Sequence, residues 1–157
     1  MIADKTMKAK VWSKSSLLLS TLFGTGYFPL CPGTAAGVLG LLVFIIIKSP
    51  LVFIAFTIFS IAVSFPVSSR AEKIFGKKDP KQIVIDDFCG MLITFIFIPH
   101  DIRFIVSGFF LFRMLDMLKI PPANIVEDFK GSLGIVGDDI VAGIYANLIL
   151  QVVRFLV

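Results

Sequence analysis

Leu51-Val52-Phe53-Ile54-Ala55-Phe56-Thr57-Ile58-Phe59-Ser60-Ile61-Ala62-Val63-Ser64-Phe65-Pro66-Val67 runs without a charge. Four more apolar runs accompany it, over residues 35–47, 88–98, 104–115 and 140–157. A chain of 157 residues has too little interior to bury five such runs, because its surface is large relative to its volume. Hydrophobic residues make up 57% of the sequence and the mean hydropathy is +0.94, against roughly 45–50% apolar in soluble domains. A bilayer is the solvent that suits the surplus. Isolated strands cannot satisfy their backbone in lipid, so all five runs read as helices. The expected fold is all-α, a compact bundle of membrane-embedded helices, and residues 1–157 read as one domain because no composition shift marks a second.

Some of these helices are short. At about 1.5 Å per residue, a run needs roughly 20 residues to cross a bilayer. The runs at 35–47 and 88–98 fall below that, which predicts short or re-entrant segments. Lys48-Ser49-Pro50 and Pro99-His100-Asp101 read as turns between neighbouring runs. Two basic groups, Lys5, Lys8, Lys10 and Lys14, then Arg70, Lys73, Lys77, Lys78 and Lys81, are expected on the cytoplasmic side. Alternating crossings then bring Thr25, Thr34, Asp86, Asp87, Arg113, Asp116, Lys119, Asp138 and Asp139 to that same face.

The net charge of +4 does not point to nucleic acid, since the basic residues flank apolar runs where anionic lipids would attract them. The start of the chain faintly resembles a secretory leader. It lacks a small-residue cleavage site and is interrupted by Gly24 and Gly26, so it is expected to stay in the mature protein. Cys31 and Cys89 belong to no CxxC pair and read as buried free thiols.

The acidic residues carry the chemistry. Asp86-Asp87 precede Phe88 and Asp138-Asp139 precede Ile140. A carboxylate at a helix start is stabilised by free N–H groups and the helix dipole, which alone accounts for one pair. Two pairs on one face exceed what capping needs. Clustered oxygen ligands suit Mg²⁺, a hard cation that takes a few carboxylates and then substrate phosphate, whereas four carboxylates alone would repel one another. Asp86, Asp87, Asp138 and Asp139 are therefore the candidate metal ligands.

Arg113, Asp116 and Lys119 follow at spacings of three, near one helical face. An Arg113–Asp116 ion pair with Lys119 at the interface would explain them structurally. They also suit a phosphate site, with Arg113 as a fork, Lys119 as a point charge and Asp116 as ligand or orienting group. The stretch from Phe23 to Thr34 combines Gly, Pro and hydroxyls ahead of a helix, where exposed N–H groups receive anions. Gly33 and Gly37 equally suit close helix packing. Gly131, Gly134 and Gly137 read as a loop delivering Asp138-Asp139.

Several phosphatase chemistries are excluded. No Arg lies five residues beyond either Cys, no DxDxT occurs, and His100 is the one histidine, in a turn on the far side. No GxxxxGK is present for a nucleotide. Metal-assisted attack by water or an aspartate remains.

Three segments together resemble the phosphatidylglycerophosphatase A family. They are Phe23-Gly24-Thr25-Gly26 with Pro32-Gly33-Thr34; Ile83-Val84-Ile85-Asp86-Asp87-Phe88-Cys89-Gly90; and Phe112-Arg113 through Asp116 and Lys119 to Gly134-Ile135-Val136-Gly137-Asp138-Asp139-Ile140-Val141-Ala142-Gly143. The resemblance implies an all-α membrane phosphatase that uses Mg²⁺ to hydrolyse phosphatidylglycerophosphate to phosphatidylglycerol and phosphate. It further implies the bacterial cytoplasmic (inner) membrane, where the helix count and the basic groups predict a multi-pass protein with its active site facing the cytoplasm.

The resemblance carries over Asp86, Asp138 and Asp139 at acidic positions and Arg113, Asp116 and Lys119 at polar ones. Together with the reading of the residues, Asp86, Asp87, Asp116 and Asp139 are the expected catalytic groups, with Arg113, Lys119 and Thr34 on the substrate phosphate. The chain departs from the family pattern in three places. Asp86-Asp87 stands where the family has Asp-Glu, and Ala36-Gly37 where it has Gly-Ser. Lys119-Ile120-Pro121-Pro122 replaces Lys-Pro-x-Pro, predicting a helix one residue longer. The competing expectation is a small membrane transporter or ion-conducting subunit, in which intramembrane carboxylates are usual. Most of the charges here flank the apolar runs instead of interrupting them.

Overall fold

A computed structural model describes residues 14–129 and 131–156; Lys5, Lys8 and Lys10 of the first basic group lie outside them. Helices follow in the order α1 (14–20), α2 (Pro32–Ile46), α3 (Pro50–Phe75), α4 (Ile85–Thr94), α5 (Ile102–Leu118), α6 (Ala123–Glu127) and α7 (Ser132–Leu156), and no strand occurs among the described residues. The expected all-α bundle is what forms. Two of these helices, α3 and α7, are long and apolar enough to cross a membrane.

The shortest apolar helix is the centre. Nearly every residue of α4 is buried, including Asp86, Cys89, Gly90, Met91, Leu92 and Thr94. The helix packs against α2, α3, α5 and α7. Small residues set its approach to α7: a Cβ on Gly143 would lie 2.5 Å from the Gly90 carbonyl oxygen. On the α2 side, Gly40 lies against Met91 and the Phe88 carbonyl, and Gly33 against the Asp87 carboxylate. These contacts make α2, α4 and α7 run in one direction. The α5 helix runs the other way, with Gly108 against Phe95 and Arg113 beside Asp87.

The structure explains why α4 stops at Thr94 although the apolar run continues to Ile98. Its last carbonyls, which a helix end leaves without intrahelical partners, receive side chains of α7. Asn147 Nδ2 donates to the Thr94 and Ile96 oxygens at 3.0 and 2.8 Å, Gln151 Nε2 to Ile96 at 3.1 Å, and an Arg154 guanidinium nitrogen to Phe97 at 2.7 Å. Phe97, at φ 60°, turns the chain back toward α5. The expected short segment is thus a helix whose end is capped within the bundle.

Other boundaries differ from expectation. Helix α3 does not stop at Val67 but continues past Pro66 to Phe75, where Gly76 closes it in the left-handed region and its N–H donates to the Glu72 oxygen at 3.0 Å. The basic residues Arg70 and Lys73 therefore sit on its last turns. Helix α5 ends at Leu118, with Lys119 as its cap at φ 45°, just ahead of Ile120-Pro121-Pro122. Helix α7 starts at Ser132, so Asp138-Asp139 lie inside it and not at its start, and Gly134 and Gly137 are helical, not loop residues. Their missing side chains let α6 pass closely, since a Cβ at Gly134 would meet the Glu127 and Phe129 carbonyls and one at Gly137 would meet Val126. Of the cysteines, Cys89 is buried but Cys31 is exposed, at the mouth of α2 where no neighbour covers it.

Candidate active site

The polar ends of α2, α4, α5 and α7 converge with the α3–α4 loop on a cavity of about 230 Å³. Asp86 and Asp87 enter it from the first turn of α4, where free N–H groups favour carboxylates, and Asp86 Oδ1 accepts the Asp87 N–H at 3.0 Å. Asp138 and Asp139 come from α7, Arg113 and Asp116 from the last turns of α5, and Lys119 from its cap. The sequence-predicted charges thus meet in one place.

They divide into three groups. Asp86, Asp87 and Asp139 each bring a carboxylate oxygen within 4.8 Å of the others, and Asp86 and Asp139 are buried. Arg113 bridges Asp87 and Asp116, the latter at 3.0 Å. Lys119 Nζ lies 3.0 Å from Asp138 and 2.6 Å from Glu127. Asp138, read from the sequence as a fourth metal ligand, is therefore partnered by Lys119 and stands apart from the three-carboxylate group.

Burial pushes the Asp87 carboxyl up to about 6, although Arg113 beside it pulls the other way. Burial likewise raises Asp86, with the Asp87 charge adding to it. Burial lowers the Lys119 ammonium, but its hydrogen bonds to Glu127 and Asp138 outweigh this and hold it above the ordinary lysine range. Carboxylates that resist ionisation in the protein alone are what a cation would stabilise. Three close oxygens, two of them buried, fit a hard divalent ion such as Mg²⁺ better than an organic cofactor or a soft metal.

Thr34, expected on the substrate phosphate, does not line the cavity; its neighbours Pro32 and Gly33 do. Thr25 does not line it either. His100 sits at the opposite end, stacked on Phe44 with Nε2 2.9 Å from the Phe44 oxygen, so its reading as a turn residue on the far side agrees with the structure. Sequence reasoning missed Asp79 and Glu127. Asp79 stands in the α3–α4 loop at φ 47° and lines the cavity, with its carboxyl raised by burial. It was absorbed into the basic stretch Lys77-Lys78-Asp79-Pro80-Lys81, and the signal that singles it out is an acidic residue before a proline. Lys81 lines the same cavity.

The family model for phosphatidylglycerophosphatase A matches residues 18–154. Phosphatidylglycerophosphatase A of Escherichia coli is 34% identical over 141 residues, covering 85% of this chain and 80% of that protein. Its namesake in Haemophilus influenzae is 30% identical over 143 residues, covering 88% of each chain. A Bacteroides thetaiotaomicron protein, provisionally named a phosphatidylinositol-3-phosphatase, is 30% identical over 151 residues, covering 90% of this chain and 94% of the relative. No solved structure matches. The chain belongs to the phosphatidylglycerophosphatase A family of phosphatases.

Proposed function

We propose that this protein is a Mg²⁺-dependent phosphatase that hydrolyses phosphatidylglycerophosphate to phosphatidylglycerol and phosphate. The observation that carries the reading is the meeting of Asp86, Asp87 and Asp139 beside Arg113 and Lys119 in one cavity. Asp86, Asp87 and Asp139 hold the metal ion, which when bound supplies positive charge to the phosphate oxygens. Arg113, now facing Asp87 and Asp116, turns its fork to the phosphate and offsets charge developing there. Lys119, held between Asp138 and Glu127, adds a fixed positive charge at the cavity edge. Asp116 lines the cavity outside the three-carboxylate group and accepts the proton of the attacking water. The water oxygen bonds to phosphorus as the bond to the glycerol oxygen breaks, and the proton taken by Asp116 passes to that glycerol oxygen, leaving phosphatidylglycerol and phosphate.

Membrane placement is part of the same reading. Helix α3 buries Thr57, Ser60 and Ser64 against the bundle, their hydroxyls spent on carbonyls of the preceding turn at 2.8 Å, while Leu51, Val52, Ile58 and Phe59 face outward. Water would select the reverse arrangement; lipid selects this one. We place α3 and α7 across the bacterial inner membrane, with α2, α4 and α5 packed against them and the acidic cavity, lined by Lys81, on the cytoplasmic side together with Arg70 and Lys73 of the last turns of α3.

The name of the Bacteroides relative favours a second substrate, a phosphoinositide monoester. A panel separates the two: purified protein in detergent with Mg²⁺, given phosphatidylglycerophosphate, phosphatidylinositol 3-phosphate and phosphatidic acid. The proposal expects kcat/KM at least tenfold higher for the first. Preference for the phosphoinositide transfers the assignment to it, and release from none of them contradicts phosphatase activity.

A further inference from the structure

A second, larger cavity lies on the outer face of the bundle, between α5 and α7. It measures about 470 Å³ and is walled by Phe104, Phe110, Leu111 and Met114 of α5 and by Ile149 and Val153 of α7. Phe110 and Met114 are half or more exposed, so this is an open groove. Ser107 also lines it, but its hydroxyl donates to the Arg103 carbonyl oxygen at 2.6 Å and asks nothing of an occupant.

The groove has a direction. On α5 its wall residues recur at helical spacing from Arg103 to Met114, which at 1.5 Å per residue is about 16 Å along the bundle. At its inner end, Met114 is the chain neighbour of Arg113, which lines the acidic cavity. At its outer end stands Arg103, ion-paired to Asp101 at 3.0 Å. The two cavities share no lining residue, but the apolar track starts one residue along α5 from Arg113 and leads away from the acidic end along the helices. A lipid whose head group occupies the acidic cavity trails its hydrocarbon in that direction.

We propose that the α5–α7 groove seats an acyl chain of the phospholipid whose terminal phosphate is hydrolysed in the acidic cavity. This rests on the phosphatase reading above and adds to it: the enzyme holds the substrate by its tail as well as by its phosphate. Side chains on α5, one helix face away from Arg113, then govern which chains are accepted.

The test uses two photoreactive lipids, phosphatidylglycerophosphate and phosphatidylcholine, each with a diazirine midway along one acyl chain. The purified full-length protein is reconstituted with either in nanodiscs, and crosslinks are mapped by mass spectrometry. Phosphate release from the first probe with Mg²⁺ is measured in parallel. The proposal expects release, together with crosslinks to Phe110, Leu111 and Ile149 at least fivefold stronger for the phosphatidylglycerophosphate probe. It also expects Ser107→Trp, which fills the groove, to reduce those crosslinks at least fivefold. Release accompanied by equal crosslinking of both probes, or by crosslinks elsewhere, overturns the groove and leaves the phosphatase reading standing. No release from the probe overturns both.

Discussion

Gly143 of α7 rests on the backbone of Gly90 of α4, so closely that a Cβ on Gly143 would lie 2.5 Å from the Gly90 carbonyl oxygen. One turn before each glycine on the same helix face is an aspartate, Asp139 and Asp86, and one turn after are Asn147 and Thr94, which are hydrogen-bonded at 3.0 Å. The two helices thus run parallel in a fixed register. The glycine contact sets the distance at which Asp86 and Asp139 face each other.

Gly143→Ala forces that contact apart. Overpacking of this kind costs about 1–3 kcal/mol, and here it also widens the carboxylate group. The expected outcome is a lower unfolding midpoint in detergent together with weaker Mg²⁺ binding, read by calorimetry. Unchanged Mg²⁺ affinity would show that the glycine pair does not position the carboxylates.

Asn147→Leu removes the donor to the Thr94 and Ile96 carbonyls without changing a charge. Ile96 keeps the Gln151 donor, but leaving the Thr94 carbonyl without its side-chain partner costs about 1–3 kcal/mol. Chemical unfolding should show this loss, while Mg²⁺ affinity of the folded protein stays within about twofold because Asn147 lies two turns from Asp139.

Arg113→Lys keeps the charge but loses the planar fork, one nitrogen of which, Nη1, meets both Asp87 and Asp116. A loss of kcat/KM on the order of 10²-fold is expected, the magnitude typical of removing one transition-state donor. Arg113→Gln goes further, since it leaves two partly buried carboxylates without a counter-charge and lowers the stability of the metal-free protein. Steady-state phosphate release and thermal unfolding separate the two effects.

The pH dependence follows from Asp87. Its carboxyl rises from 3.8 to about 6 on folding without metal, because burial disfavours the charge. A carboxyl with a raised folded value binds more protons in the native state than in the unfolded chain. Its contribution to stability is present below pH 4 and is lost as pH rises through 6. With chelator the unfolding midpoint should therefore fall between pH 4 and 7, and saturating Mg²⁺, which binds the ionised form, should flatten that slope. An identical slope with and without Mg²⁺ would contradict metal binding at Asp87.

How much of this was legible in the sequence depends on whether the cause was local. The apolar runs, the turn at Pro99-His100-Asp101 and the Asp86-Asp87 helix start rest on patterns within a few residues; each run forms a helix, with ends that shift, and the turn and the acidic helix start lie where expected. The gathering of charges at one end followed from alternating crossings. The α4–α7 register was not legible, because it depends on two glycines 53 residues apart meeting in space. For the same reason Asp138 was grouped with its neighbour Asp139. Once both lie inside a helix, adjacent residues point about 100° apart, so Asp139 joins Asp86 and Asp87 while Asp138 turns to Lys119. Glu127 was passed over because its value lies in reaching Lys119 across the short α6.

The most direct test is a Mg²⁺ titration of phosphate release from phosphatidylglycerophosphate in detergent, comparing the unaltered protein with Asp139→Asn. The account predicts Mg²⁺-dependent release by the former, abolished by chelator, and a loss on the order of 10²-fold or more for the variant, with a higher Mg²⁺ requirement. Release that persists in chelator, or full activity in Asp139→Asn with the same Mg²⁺ dependence, would contradict it.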